Sequence, residues 1–137
     1  MTSECGRVPG PAEMADRLAI LDVLARHCRG VDRADQAVLT SCYWPDATVA
    51  YGGFNGNAHR FCAILPSAIR AYARTRHAIS NTLFEFAGDV ACVETYVMAC
   101  HYRAVEDGRD TEMTFLGRYL DRLQKRGDVW KILHRQV

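Results

Sequence analysis

The histidines are the side chains of this sequence best suited to moving protons near neutral pH. His27, His77, His101 and His134 are spread along the chain. A neutral imidazole can take a proton from an acidic C–H bond, and a carboxylate on its other nitrogen fixes the tautomer and stabilises the imidazolium that forms. The sequence therefore contains the parts of an acid–base site, provided that the fold brings a carboxylate to one of these rings.

Other polar chemistry is less strongly indicated. These four of the five histidines show no HxH or HxxxH spacing, by which neighbouring imidazoles often reach one metal ion. We therefore expect no metal. Tyr43, Tyr51 and Tyr119 can hydrogen-bond a carbonyl or a water, although tyrosines in sheets and at helix ends mostly pack.

The length and charge of the chain indicate one domain with a small ligand. A chain of 137 residues can bury a core without disulfides or metal. Lys plus Arg is 17 and Asp plus Glu is 16, and the charges are scattered, so we expect no nucleic-acid partner and no membrane partner. No apolar run approaches the roughly 18 residues of a membrane-spanning helix. A small hydrophobic molecule fits better.

The cysteines indicate a reducing compartment. No pair is spaced as CxxC, and no signal peptide is visible at the start. Cys28, Cys92 and Cys100 lie in apolar periodic segments, where a thiol usually behaves as a small hydrophobe. We expect reduced core thiols and a cytoplasmic protein.

The first half of the chain predicts helices around one short strand. Residues 1–10 are typical of a flexible arm, and residues 11–137 of a single domain. A helix is expected from Pro11 to Gly30, with one apolar stripe from Met14 to Cys28 and a second flank of Ile20, Leu24, His27 and Val31. Further elements are expected as a helix at 33–43, a strand at 46–51, a glycine- and asparagine-rich loop at 52–57, and a helix from Pro66 to about Arg74.

The second half predicts four long strands in a meander. The β-rich runs are Thr75–Ala87, Val90–Val105, Thr111–Lys125 and Val129–Val137, separated by hairpin turns at Gly88-Asp89, Asp107-Gly108 and Gly127-Asp128. Strands of about fifteen residues must twist and bend, and Gly117 is a natural place for a bulge or bend.

We expect these helices and strands to pack in one compact arrangement. Helices that lie in the concave face of a strongly curved, mainly antiparallel sheet give a cone-shaped α+β roll with a pocket at its open end. Because Val137 falls in mid-strand without a polar tail, one expectation is that the natural chain continues past it.

Several segments resemble one family in their order and spacing. They are GVDRAD (30–35), WPDATV (44–49), RHAISN (76–81), GDVACVETY (88–96), GRYLDRL (117–123) and WKILHR (130–135). From Ala15 to Val137 the chain resembles the SnoaL-like branch of the nuclear transport factor 2-like superfamily. This branch includes scytalone dehydratase, bile acid dehydratase, hexachlorocyclohexane dehydrochlorinase, polyketide cyclases and the small subunits of ring-hydroxylating dioxygenases.

The resemblance implies a catalytic pair. An Asp after the first helix and a His at the start of a central strand form that pair in the dehydratases, and the matching residues here are Asp32 and His77. His27 departs from the family, since it stands where members often have a Tyr or Lys, whereas His101 and Arg135 match a second His and a basic residue of some members. With Tyr51 and Tyr119 these three are our candidate substrate-binding residues. The relatives named use no metal, and the implied lyase or isomerase is cofactor-independent, so no cofactor is expected.

Purely structural roles for the same residues remain open. Asp32 can cap a helix or shape a turn, Asp35 is another candidate cap, and a strand histidine is usually a satisfied structural residue.

The resemblance fits three functions. The first is a dehydratase-like lyase or isomerase, with His77 as general base oriented by Asp32. The second is a non-catalytic ligand-binding or assembly module, and the third is a polyketide cyclase that uses an acidic residue alone. Members of this fold commonly pair through the outer face of the sheet, which implies a homodimer or homotrimer.

Overall fold

A computed structural model describes residues 4–104 and 108–137, which form an α+β fold. The elements are α1 (Pro11–Asp32), α2 (Gln36–Ser41), β1 (Tyr43–Tyr51), β2 (Phe54–Asn57), α3 (Ala58–Ile69), β3 (Arg74–Ala87), β4 (Val90–Ala104), β5 (Asp110–Arg126) and β6 (Val129–Gln136). Residues 4–10 belong to no helix or strand. Val105 of the predicted second run and Asp107 of the predicted turn lie outside the described residues.

Helix α1 begins at Pro11, as predicted, because proline lacks only an N–H group that the first turn leaves unused. Its buried flank is the one that carries Ile20, Leu24, His27 and Val31. The other stripe is mostly in solvent, since Met14 and Leu18 are 52% and 67% exposed.

The predicted end of α1 at Gly30 is wrong, because the helix continues to Asp32. A Cβ on Gly30 would lie 3.0 Å from Leu39 Cγ, so this glycine lets α1 and α2 pack closely. Asp35 is the N-cap of α2, and its carboxylate accepts a hydrogen bond from the Val38 amide at 3.1 Å. Since Asp35 fills the capping role, Asp32 is available for another one.

Helix α3 begins at Ala58, eight residues before the predicted start at Pro66. Asn57 caps it by accepting from the Arg60 amide at 3.1 Å, and Pro66 lies inside the helix. The segment predicted as a loop at 52–57 is instead a tight turn followed by β2, which pairs with β1.

Within residues 4–104 and 108–137, six strands form one curled, unclosed sheet in the order β2-β1-β6-β5-β4-β3. β1 and β6 are parallel and all other neighbours are antiparallel. The hairpins predicted at Gly88 and Gly127 are present, and both glycines have positive φ, at 59° and 61°. The long strands β3, β4 and β5 have 14, 15 and 17 residues.

Gly117 is not a bulge, since β4 and β5 pair without a register shift from Val90 opposite Gln124 to Ala104 opposite Asp110. The register breaks in β3 instead, between Ser80 and Thr82. The ring of Phe115 lies so close to Gly117 that an added Cβ would be 2.4 Å from its Cζ. Glycine at this position makes room for the aromatic ring.

The concave face of the sheet holds the helices and the core, so the predicted cone-shaped α+β class is confirmed. α1 contacts β3 and β6, and α3 contacts β1 and β2. Core residues from the helices include Ile20, Leu24 and Leu39, and those from the sheet include Val93, Leu123 and Ile132.

The fold also shows the state of the cysteines and the character of the helices. All six cysteines, each within the described residues, are free thiols, and Cys28 and Cys100 are buried. Cys92, predicted to be in the core, is exposed on the outer side of β4. Among the described helices, none is long and apolar enough to cross a membrane.

Candidate active site

A cavity of about 420 Å³ opens at the wide end of the cone. None of the described residues that line it is an Asp, Glu, Lys or Arg. The lining consists of Val31, Tyr51, Gly52, Leu65, Ile69, His77, Ala99, His101, Met113, Thr114, Phe115, Tyr119 and Val137. A mostly apolar wall with a few convergent polar groups is typical of a site for a small organic ligand.

Asp32 and His77 are in direct contact at the side of this cavity. His77 Nδ1 lies 2.7 Å from Asp32 Oδ1, and the His77 backbone N–H donates to Asp32 Oδ2 at 3.0 Å. Thr75 Oγ1 donates to Asp32 Oδ1 at 2.9 Å. Both carboxylate oxygens are therefore engaged, and the separation falls within the 2.6–3.2 Å range of a working hydrogen bond.

Local structure explains how this pair is positioned. Asp32 is the last residue of α1, so its side chain leaves the helix where the chain turns towards α2. Thr75 and His77 are two residues apart on β3, and alternate residues of a strand share a face. Both therefore point to the concave side, where the end of α1 packs.

The environment of Asp32 favours its ionised form. Burial acts to raise the pKa of this carboxyl, but the hydrogen bonds from the ring and backbone of His77 and from Thr75 outweigh burial and hold the pKa below its ordinary value. Because an ionised carboxylate can only accept, Nδ1 of His77 must carry the hydrogen between them. The neutral ring then has its lone pair on Nε2.

His77 is thereby arranged as a proton acceptor. Its side chain is only 6% exposed, yet the residue lines the cavity. Within the described parts of the chain, no hydrogen bond engages Nε2. An imidazole with one nitrogen on a carboxylate and the other free beside a ligand cavity is the arrangement of a general base.

His101 lies next to His77 on the same wall. Ala99 pairs with His77 across β3 and β4, and His101 is two residues further along β4. The two rings are edge to face, with centroids 5.4 Å apart. Nδ1 of His101 is buried without a hydrogen-bond partner among the described residues. Burial, and then the neighbouring His77, lower the pKa of His101, which favours the neutral ring.

Tyr51 and Tyr119 form the polar part of the opposite wall. The Tyr51 hydroxyl is 3.5 Å from that of Tyr119, to which it donates. Burial raises the pKa of both phenols, so they stay protonated as donors. The guanidinium of Arg135 stacks on the Tyr119 ring, with its Cζ 3.9 Å from the ring centroid.

His27 and Arg135 do not line the cavity. Arg135 is fully buried and donates to both carboxylate oxygens of Asp121, at 2.7 and 2.8 Å. Its Nη1 is also 3.2 Å from His27 Nδ1, which must accept because arginine only donates. Nε2–H of His27 therefore donates to the Tyr43 hydroxyl at 2.8 Å.

The electrostatics of this buried network are consistent with a neutral His27. Burial lowers the pKa of His27 well below its ordinary value, and the nearby Arg135 cation lowers it further. The structure therefore places these two residues behind the cavity wall, where they support Tyr43 and Tyr119.

The comparison with protein families gives one match over nearly the whole chain. The SnoaL-like domain matches residues 12–136. The chain belongs to the SnoaL-like domain family. The resemblance seen in the sequence is thus confirmed.

Solved structures share the fold of this SnoaL-like domain. The hexachlorocyclohexane dehydrochlorinase LinA-type3 from Novosphingobium barchaimii is 22% identical, with 90% of this chain and 86% of that chain covered and a TM-score of 0.76. A protein from Novosphingobium aromaticivorans, provisionally named a scytalone dehydratase, is 22% identical, with 90% and 83% covered and a TM-score of 0.80.

A third similar structure is that of an Rv3472 variant from Mycobacterium tuberculosis, whose function is unknown. It is 25% identical, with 93% of this chain and 74% of that chain covered and a TM-score of 0.78. The comparison with curated proteins gives no match.

The roles of two residues in this SnoaL-like domain, Thr75 and Asp121, were not predicted from the sequence. Thr75 holds Asp32, and its only signal was its position two residues before His77. Asp121 neutralises Arg135, but nothing in the GRYLDRL segment that contains Asp121 shows that Arg135 is its partner.

No group of three or more His, Cys, Asp and Glu side chains in the described residues could hold a metal ion.

Proposed function

We propose that this SnoaL-like domain is a cofactor-independent lyase or isomerase that acts on a small hydrophobic, cyclic or polyketide-like substrate. His77 Nε2 is the general base, and Asp32 is the residue that positions the ring. The observation that carries the proposal is the 2.7 Å contact between His77 Nδ1 and Asp32 Oδ1 beside a largely apolar cavity of about 420 Å³.

The proposed chemistry begins with proton abstraction. His77 takes a proton from a C–H bond next to a carbonyl, and the electron pair moves to the carbonyl oxygen to form an enolate. Tyr51, Tyr119 or His101 donates a hydrogen bond to that oxygen. In an isomerisation the proton returns from His77 to another carbon. In an elimination the electron pair expels either a hydroxyl, which takes the proton from the His77 imidazolium and leaves as water, or a halide ion, after which His77 releases its proton to solvent.

His27 and Arg135 take part indirectly in this proposal. Arg135 stacks on Tyr119, and its charge is balanced by Asp121. A cation on the face of a phenol ring draws electron density from it and makes its hydroxyl a better donor. His27 holds the guanidinium from the other side and keeps Tyr43 in place.

A non-catalytic module, like a dioxygenase small subunit, is the second candidate, and one observation favours it. Large apolar side chains are exposed on the outer face of the sheet, namely Leu83, Tyr96, Met98, Leu116 and Leu120. We propose that this face forms a homodimer or homotrimer. Assembly is compatible with an enzyme as well, and the free Nε2 beside an open cavity favours catalysis.

A polyketide cyclase that relies on an acidic residue alone is less well supported. Asp32 is not among the residues that line the cavity, and both of its oxygens already accept hydrogen bonds. A carboxylate so engaged orients a neighbour better than it attacks a substrate.

Ligand soaking tests the proposal. Crystals are exposed to a panel of cyclic ketones, hydroxysteroids and halogenated rings, and electron density is sought beside His77. A ligand with an acidic C–H within about 3.5 Å of Nε2 is the expected result. Two results would favour the non-catalytic module. Either every bound ligand keeps its acidic C–H away from His77 Nε2, or no compound of the panel binds in the cavity.

A further inference from the structure

Arg103 lies at the open end of the cone on the face of β4 that forms the cavity wall. Ala99 and His101 line the cavity, and alternate residues of a strand share a face, so Arg103 continues their row. Its guanidinium is 5.2 Å from the centroid of the Tyr72 ring, and that ring is 4.9 Å from the His101 ring. A chain of ring contacts thus links the cavity to a cation at its mouth.

We propose that Arg103 binds a carboxylate group carried by a ligand whose apolar body occupies the cavity. The inference rests on the proposed function for its use of that cavity, and it narrows the substrate class to an apolar ring or chain with one carboxylate tail.

The contrast between the cavity and its mouth supports this class. Among the described residues, no Asp, Glu, Lys or Arg lines the cavity, so an anion placed deep inside it would lose its hydration without a cationic partner. At the mouth, where Arg103 is exposed, a carboxylate stays partly hydrated and gains a charge-assisted hydrogen bond. The apolar part of such a ligand then reaches inward towards His77.

Tyr72 makes Arg103 better suited to this task. A guanidinium that packs on an aromatic ring is held in place by its flat face, while its N–H groups at the edge stay available for a carboxylate. Tyr72 itself is fixed by its contact with His101. The Arg103 guanidinium is therefore held at a defined distance from His101 and the cavity wall.

Arg74 provides a matched control on the other side of the sheet. Its guanidinium lies 4.4 Å from the centroid of the Tyr102 ring, which is the same kind of contact. Tyr102 stands between His101 and Arg103 in β4 and so points to the outer face. Arg74 pairs with Tyr102, the neighbour of Arg103, so replacing it removes the same charge from a nearby position of the sheet without touching the mouth.

The test compares two probes of equal shape, naphthalene-2-acetate and its neutral amide naphthalene-2-acetamide. Binding to the wild-type protein, Arg103→Gln and Arg74→Gln is followed by NMR through the methyl group of Met113, which lines the cavity. We expect the wild-type protein to prefer the acetate. Arg103→Gln should weaken acetate binding about tenfold, as expected for one partly solvated charge-assisted hydrogen bond, and leave the amide unchanged. Arg74→Gln should leave both affinities unchanged.

Three results would overturn the inference. They are an acetate that does not bind the wild-type protein at millimolar concentration, equal losses for acetate and amide in Arg103→Gln, and equal losses of acetate binding in Arg103→Gln and Arg74→Gln. Because the readout is binding, the preference for the acetate holds or fails whether or not any compound reacts. Failure of the catalytic proposal and failure of this subsite are therefore distinguishable.

Discussion

Asp32 and His77 are joined by two hydrogen bonds although 45 residues separate them in the chain. One bond comes from the ring and fixes which nitrogen carries the hydrogen. The other comes from the backbone amide and fixes where β3 lies relative to the end of α1. Asp32 therefore positions both the reactive ring and the strand that carries it.

Replacing Asp32 by Asn should impair catalysis more than folding. The amide retains the size of the carboxylate but loses the charge that stabilises an imidazolium, so proton abstraction should slow by at least about a hundredfold. Nitrogen NMR should show a mixture of the two His77 tautomers, with the hydrogen on Nδ1 or on Nε2. Asp35→Asn is the matched control, because it changes the cap of α2 and should leave the rate unchanged. Equal effects of the two variants would contradict the assigned role of Asp32.

His27 should make stability depend on pH. Its pKa in the folded protein is well below the ordinary 6.5, so its contribution is fully present above pH 6.5. As the pH falls below that value, the unfolded chain binds a proton that the folded protein cannot, and stability is lost. His27→Gln removes this titration and keeps a donor and an acceptor for Tyr43 and Arg135. Urea unfolding between pH 7.5 and 5.5 should show a steeper loss for the wild-type protein, by up to about 1.4 kcal/mol per pH unit. Parallel losses in both proteins would exclude this origin.

Asp121 should be essential for stability rather than chemistry. Its side chain and that of Arg135 are 0% and 1% exposed, so removing the carboxylate leaves a buried cation without an anionic partner. Asp121→Ala should cost about 3–5 kcal/mol in the free energy of unfolding. The exposed pair of Asp46 and Arg126 is the control, and Asp46→Ala should cost less than about 1 kcal/mol. A small effect at Asp121 would mean that Arg135 finds another partner or water.

Gly117→Ala should disturb the cavity through Phe115. The new methyl group would meet the Phe115 ring, so the ring must move from its place in the cavity lining. We expect a loss of about 1–3 kcal/mol of stability and an altered affinity for cavity ligands. The double variant Gly117→Ala with Phe115→Leu should recover part of the stability. Gly53→Ala is the control and should leave the cavity unchanged, because a Cβ added there would have no atom of the described residues within 4 Å.

The sheet could be predicted largely from the sequence, because its turns are marked by residues with a strict conformational role. Gly88 and Gly127 have the positive φ that hairpin turns require, and the strands between them alternate regularly. The helices were harder, since Pro66 and Gly30 usually mark boundaries and here do not. Pro66 lies inside α3, and Gly30 serves the close packing of α1 and α2.

The candidate site, too, could be predicted only in part. The candidate pair of Asp32 and His77 came from the resemblance, since nothing in their spacing shows that the two side chains meet. The burial of Arg135 could not be predicted, because its partners His27 and Asp121 are 108 and 14 residues away and belong to other elements. Contacts of this kind depend on how the sheet curls around α1.

The most direct test of the central claim is proton exchange at the substrate carbon. Compounds that bind in the cavity are incubated with the protein in deuterated water, and deuterium uptake at the acidic carbon is followed by NMR. The wild-type protein should catalyse the uptake, and His77→Gln should slow it by at least about a hundredfold. His134→Gln, which changes a histidine bonded to Thr48 on the outer face of the sheet, should keep the wild-type rate. Uptake at the wild-type rate in His77→Gln would contradict the assignment of His77 as the general base.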